Sequence, residues 1–287
     1  MAEPTQPIGT GIVVAAIAPL LQEPRIASQQ ISQRLAGARV EILEEIGDWV
    51  RVCGEDGYEG WTHHGYLTRD ASARPPERLS LGCIVKGADG MVRPLPLGAR
   101  VADDLTIVDG EAITEAERAR RFPARVEAIC DSAVRLFEGT SYQWGGLTPW
   151  GSDCSGFVQS IFSLHGVGLP RDAWQQSLLG RSAGRDILAL GLADLLFFSD
   201  RDDQWITHVG LSLGARRMAH VALGRGGYAL EQLDEPDDPY VRKLRERFLF
   251  GRRVPLLPER SEAAQRPNAV EGPPRTAVEP VIDGSTA

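Results

Sequence analysis

The sequence predicts an α+β domain, helices first and antiparallel strands after, preceded by small all-β units. Two observations carry this. From Ile8 to about Asp70 short apolar runs alternate with Gly and Asp turn signals. From about Glu115 to Pro255 apolar residues recur first at helical intervals and then in alternating runs. At 287 residues the chain is long enough for more than one core.

Taken in order, GIVVAAIA and ARVEILEEIGDWVRVCGEDGYEGWTHHGYL, with Val40, Ile42, Trp49, Val50 and Val52 between turns, predict a small barrel over residues 8–72. ASARPP (71–76) is the expected linker. LSLGCIVKGADGMVRPLPLGARV then gives a second β unit over 77–114, either another barrel or a β extension of the first. Phe122, Val126, Ile129, Cys130, Ala133, Leu136 and Phe137, ending at Gly139, predict one amphipathic helix. Cys154, Phe157, Val158, Ile161, Phe162 and His165 predict a second, starting at or beside Cys154 and stopped by Gly166 and Gly168. A short helical piece in LPRDAWQQSLLG leads to the strands ADLLFFSD, ITHVGLSLG, RRMAHVA and GGYALEQL. Helices followed by strands mean α+β rather than a parallel βαβ unit, so the domain is set at 115–255. Residues 256–287 are polar, Pro-rich and without periodicity, which predicts a disordered tail.

The balance of 31 Lys and Arg against 39 Asp and Glu leaves a formal charge of −8, so nucleic acid and anionic membrane surfaces are poor partners. No apolar run has the length of a membrane span, and MAEPTQPIGT lacks the basic start of a secretory leader; the expected location is cytoplasmic. The four cysteines show no CxxC spacing, which argues against a disulfide framework and a zinc site. No cofactor is implied, and oligomeric state leaves no mark in the sequence.

A thiol attacks a carbonyl only as thiolate, and a helix N-terminus or a neighbouring histidine lowers its pKa. Asp153, Cys154, Ser155 and Gly156 stand where a loop enters a helix, and Gly151 and Gly156 would leave room for a substrate to approach the backbone, whose N–H groups can serve an oxyanion. A helix-start cysteine alone is as easily a small buried hydrophobe. The histidines raise the case. Alternation puts Ile206, His208, Gly210 and Ser212 on one face of ITHVGLSLG, with Thr207, Val209, Leu211 and Leu213 on the core face. A turn at Gly214 would pair this strand with RRMAHVA, where Met218 and His220 share a face. His208 is then the candidate base and His220 its orienting partner. Zinc held by Cys154 and the two histidines is the rival reading, and it lacks a fourth ligand. His165, His63 and His64 are assigned to structure.

The segments APLLQEP, GARVEILEEIGDWVRV and DGYEGWTHHGYL resemble bacterial SH3-like domains. The ordered set YQWGG, SDCSGFVQSIFSLHG, LPRDAWQQ, DLLFFSD, ITHVGLSLG and RMAHVA, from about Phe122 to Val254, resembles the NlpC/p60 family of papain-like cysteine peptidases that cut murein peptide bonds. The resemblance implies Cys154 as nucleophile, His208 as base and His220 as third member. One departure is Ala193, where the family usually has Gly; Ala fits unless the turn there needs a positive φ. SH3-like units joined to this domain resemble the branch that cuts γ-D-glutamyl bonds to a diamino acid in peptides with a free N-terminal L-alanine. That likeness implies Asp172 and Ser155 as holders of the amine, completed by a tyrosine of the SH3-like unit, Tyr58 or its rival Tyr66. Tyr142 and Trp144 of YQWGG would wall the cleft, or Tyr142 would help hold the oxyanion. Murein-derived peptides are the expected partners. An amidase or acyltransferase on another substrate and a non-catalytic wall-binding protein are the competing classes.

Overall fold

The computed structural model describes residues 6–69 and 76–256. The expected linker, save Pro76, and the expected tail, save Leu256, lie outside the described residues.

The first unit has strands β1 (Gly9–Val13), β2 (Ile17–Leu21), β3 (Gln30–Leu35), β4 (Arg39–Ile46), β5 (Trp49–Cys53), β6 (Glu59–His63) and β7 (Leu67–Thr68). They form one antiparallel sheet in the order β3-β2-β6-β5-β4-β1-β7. Among the described residues no ladder joins β3 to β7, so the sheet is open where the sequence suggested a barrel. Alternation sets its inner face: Val50 and Val52 are buried while Trp49, Arg51 and Cys53 are half-buried. With Val13, Ala18, Leu20, Val40, Ile42 and Tyr58 they make one apolar cluster.

Strands β8 (Arg78–Lys86), β9 (Val92–Val101) and β10 (Thr106–Ile113) form a three-stranded antiparallel sheet with β8 central. Ala36 of the first unit shares its core with Cys83, Val85, Leu95, Ala99 and Val101.

The helix expected from Phe122 to Gly139 is α2 (Val126–Arg135), and a separate helix that the sequence reading did not place, α1 (Glu115–Arg121), precedes it. Pro123 has no N–H to donate and excludes the residue before it from helical backbone, so α1 ends there. Thr114 and Glu117 close a capping box at the start of α1. A small ribbon of β11 (Leu147–Thr148) and β12 (Gly151–Ser152) precedes α3 (Cys154–Leu164), and α4 (Ala173–Gln176) follows. The six-stranded sheet contains β13 (Arg181–Gly184), β14 (Leu192–Phe198), β15 (His208–Gly214), β16 (Arg217–Ala222), β17 (Gly227–Gln232) and, beyond α5 (Pro239–Arg247), β18 (Phe248–Arg253). Its order is β13-β18-β14-β15-β16-β17, antiparallel throughout. Besides α1 and the β11–β12 ribbon, the sequence reading missed β13, α5 and β18.

Those elements change the environment of β15. Val209, Leu211 and Leu213 pack into the main core with Phe137, Phe157, Phe162 and Phe197. The opposite face, expected to lie away from the core, is covered too: Gly210 and Ser212 are buried, and Leu196, Phe198, Met218 and Leu244 of α5 form a second cluster. A Cβ on Gly210 would overlap the Met218 sulfur, so glycine is required for this packing. Burying each phenylalanine contributes roughly 1.5–3 kcal/mol. Ala193 has φ 58°, the left-handed conformation that favours glycine, and bears a strain of about 1–2 kcal/mol. The absence of glycine here therefore has a structural cost that the sequence reading took as conditional. No helix among the described residues is long and apolar enough to cross a membrane.

Candidate active site

Cys154 is the first residue of α3, and Asp153 caps that helix, its Oδ1 accepting from Gly156 N at 2.8 Å. A Cβ on Gly156 would overlap the Gly146 carbonyl, and one on Gly151 would overlap the Gln143 side chain. The space these glycines leave is filled by the protein itself, not held open for substrate as the sequence suggested. A carboxylate beside Cys154 opposes thiolate formation. Buried Arg171 offsets it, donating Nη2 to Asp153 Oδ2 at 2.6 Å and Nη1 to Oδ1 at 3.0 Å. Arg171 also donates to Ser155 Oγ at 2.8 Å and to Ser32 Oγ of β3 at 3.1 Å.

His208 opens β15 and His220 lies on β16, brought together by the hairpin at Gly214. His208 Nε2 and His220 Nδ1 are 2.9 Å apart, and His220 Nε2 is 3.2 Å from Glu231 Oε1 on β17. Burial drives the Cys154 thiol up to about 12, with Asp153 adding to the rise and bonds from the Val209 and Ser155 backbone opposing it. Burial, then the charge of His220, pushes His208 well below the ordinary imidazole value. Both shifts favour the uncharged forms, thiol and neutral imidazole.

The Tyr58 hydroxyl reaches Asp172, 3.2 Å from Oδ1 and 3.4 Å from Oδ2. Asp172 stands at the N-cap of α4, where its N–H donates to Gln175 Oε1. Tyr66 packs against the first core and stacks edge-on with His63. Ser155 is more occupied than its sequence role implied: it accepts from Arg171 and donates to Asp153 Oδ1 at 3.3 Å. One lone pair remains for a ligand. Tyr142 is half-buried, and burial raises its phenol far above the ordinary range, so it stays a neutral donor. Trp144 is 46% exposed, while its carbonyl accepts from Gln30 of β3.

His165 is a satisfied core residue, bonded to the Pro123 carbonyl at 2.8 Å and Ser132 Oγ at 2.9 Å. Cys83 and Cys130 are buried and Cys53 is half-buried. No cluster of three or more potential metal ligands occurs among the described residues. The sequence reading missed Arg171 and Glu231. A strand-by-strand pattern could flag neither, since Arg171 lies in a loop and Glu231 meets His220 only through the register of β16 and β17.

A thiol on a helix N-terminus, with a histidine pair on an antiparallel sheet behind it, defines a papain-like cysteine hydrolase. Residues 139–243 match the NlpC/P60 family and residues 18–68 the bacterial SH3 domain. The chain is 38% identical over 240 residues to a γ-D-glutamyl-L-lysine dipeptidyl-peptidase of Bacillus subtilis, covering 74% of this chain and 78% of that one. It is 25% identical over 270 residues to dipeptidyl-peptidase 6 of Lysinibacillus sphaericus, covering 81% and 95%. A crystal structure of an NlpC/P60 family protein from Bacillus cereus superposes with a TM-score of 0.70 at 20% identity, over 86% of this chain and 99% of that one, and shares the fold. The chain belongs to the NlpC/P60 family and is a cysteine-type peptidase.

Proposed function

We propose that this peptidase hydrolyses the bond between γ-D-glutamate and a diamino acid in murein peptides whose N-terminal L-alanine is free. The observation that carries the reading is the Tyr58 to Asp172 hydrogen bond, by which the first unit reaches the residue next to Arg171, itself bonded to Ser155 beside Cys154. An N-terminal ammonium needs a carboxylate and hydroxyl acceptors. Asp172, Tyr58 and the remaining lone pair of Ser155 supply them, while the charge of nearby Arg171 is already matched by Asp153. The relatives from Bacillus subtilis and Lysinibacillus sphaericus, named as dipeptidyl-peptidases, support the same substrate class.

In this reading His208 takes the Cys154 proton as the sulfur attacks the γ-carbonyl, with His220 orienting His208. Backbone N–H groups at the start of α3 and the neutral Tyr142 phenol face the developing oxyanion. The tetrahedral intermediate collapses to an acyl-enzyme as His208 returns a proton to the departing amine of the diamino acid. Water, deprotonated by His208, then attacks the thioester and releases L-alanyl-D-glutamate, the thiol regaining its proton. Trp144 adds an apolar wall.

The test compares L-Ala-γ-D-Glu-L-Lys with its N-acetylated form on wild type and Cys154→Ala. Cleavage of the free peptide only, abolished by the substitution, is the expected result. Full activity in Cys154→Ala removes the nucleophile assignment, and equal rates on both peptides remove the amine pocket.

A further inference from the structure

We propose that Glu231 is a positioning residue for the reaction, fixing through His220 the tautomer that leaves the second ring nitrogen of His208 bare. The inference rests on the roles given above to Cys154, His208 and His220.

Glu231 lies on β17, where it pairs with Met218, and its carboxylate reaches diagonally to His220. The residue is buried, and its side chain is tied at both oxygens. Arg225 donates Nε to Oε1 at 2.8 Å and Nη2 to Oε2 at 2.9 Å. Arg225 is itself held by Asp238 Oδ2 at 2.6 Å and lies 4.3 Å over the Tyr240 ring, which stands 6.1 Å from His220. An ionised carboxylate only accepts hydrogen bonds, so His220 must carry its proton on Nε2. A neutral His220 then presents a bare Nδ1, and the 2.9 Å contact with His208 requires the His208 proton on Nε2. His208 Nδ1 is left unprotonated. One buried charge thus sets the direction of two successive hydrogen bonds, ending at the atom that has to accept a proton.

The surrounding groups keep that charge in place. Burial acts to raise the Glu231 carboxyl, but bonds from His220 and Arg225 outweigh it and hold it below the ordinary value. Asp238 is lowered, first by Arg225, and stays ionised. Tyr240 of α5 is pushed up to about 12, chiefly by burial and then by Glu231, with Arg225, Arg247 and Cys154 the other charges that face it; it stays neutral. Glu231 does not receive the proton. It acts as a fixed field and acceptor, as the acidic member of a triad does.

A merely structural glutamate would scale the rate equally at every pH. A tautomer-setting charge also moves the acid limb, because it stabilises the protonated histidine pair. Glu231→Gln offers an amide that can donate to His220 Nε2 and reverse both proton positions. The expected result is a fall in kcat of about tenfold or more with KM changed less than about twofold, and an acid limb displaced to lower pH. Arg225→Gln leaves the carboxylate unneutralised and displaces the limb to higher pH. Glu231→Asp restores part of both quantities. The profiles are read twice, by hydrolysis of L-Ala-γ-D-Glu-L-Lys and by iodoacetamide alkylation of Cys154 resolved by peptide mass spectrometry. Where Glu231→Gln fails to fold, Arg225→Gln carries the test alone. Limbs that coincide with wild type overturn the proposal, whatever the size of a uniform rate loss. Opposite displacements in the alkylation profiles, with the peptide left uncut by wild type, uphold the positioning role and reject the substrate reading instead.

Discussion

The Tyr58 hydroxyl lies 3.2 Å from Asp172 Oδ1, joining residues 114 positions apart and belonging to different units of the chain. A bond to a carboxylate contributes about 1.5 kcal/mol or more, and a bound ammonium would strengthen the need for it. Tyr58→Phe should raise KM for L-Ala-γ-D-Glu-L-Lys about tenfold with little change in kcat, because the lost contact is to a part of the substrate that does not react. Steady-state kinetics on the free and N-acetylated peptides measure this, and the preference for the free amine should narrow.

Arg171 and Asp153 are a buried ion pair, and removing one member strands the other. Arg171→Met should destabilise the protein by about 3–5 kcal/mol, read as a lowered urea midpoint. The partnered loss of the Ser32 contact makes the first unit part of the same transition.

Stability should fall as pH drops below about 6.5. Burial, with Arg118 adding to it, lowers the His165 pKa despite the bond to Pro123, and His208 is lowered further still. In both cases the unfolded chain binds the proton first. Above the unfolded value of about 6.5 neither state is charged; below it only the unfolded state is, so stability is lost down to the folded values. Urea midpoints across this window show the slope, and His165→Gln, which does not titrate, should flatten it.

Ala215 and Arg216 form the hairpin turn between the two histidine strands with φ 47° and 64°. Neither side chain suits left-handed backbone. Ala215→Asn with Arg216→Gly installs residues that do, and should stabilise the fold by about 1 kcal/mol. Thermal unfolding would register this, with peptide hydrolysis unchanged.

Much of the site follows from periodicity. Cys154, Phe157, Val158, Ile161 and Phe162 fall on helical spacing, and α3 begins at Cys154. His208 and His220 meet because a two-residue turn joins two alternating strands. Helix α5 carried a start signal that went unread, Asp238 as cap followed by Pro239, with Val241 and Leu244 as its buried face. Glycine spacing around Cys154 misled, because a missing Cβ shows only that something comes close. It does not say whether that neighbour is substrate or the chain's own carbonyl. The φ of Ala193, the open edge of the first sheet and the partner of Glu231 depend on register and on distant chain segments, which local pattern does not contain.

Arg171 binds the cap of α3 with one hand and a β3 serine with the other. The two units are therefore not interchangeable modules. A graft that exchanged the N-terminal unit for a foreign one would carry away an anchor of the helix that begins at Cys154, so recombination in this architecture must preserve Ser32 and Arg171 as a matched set.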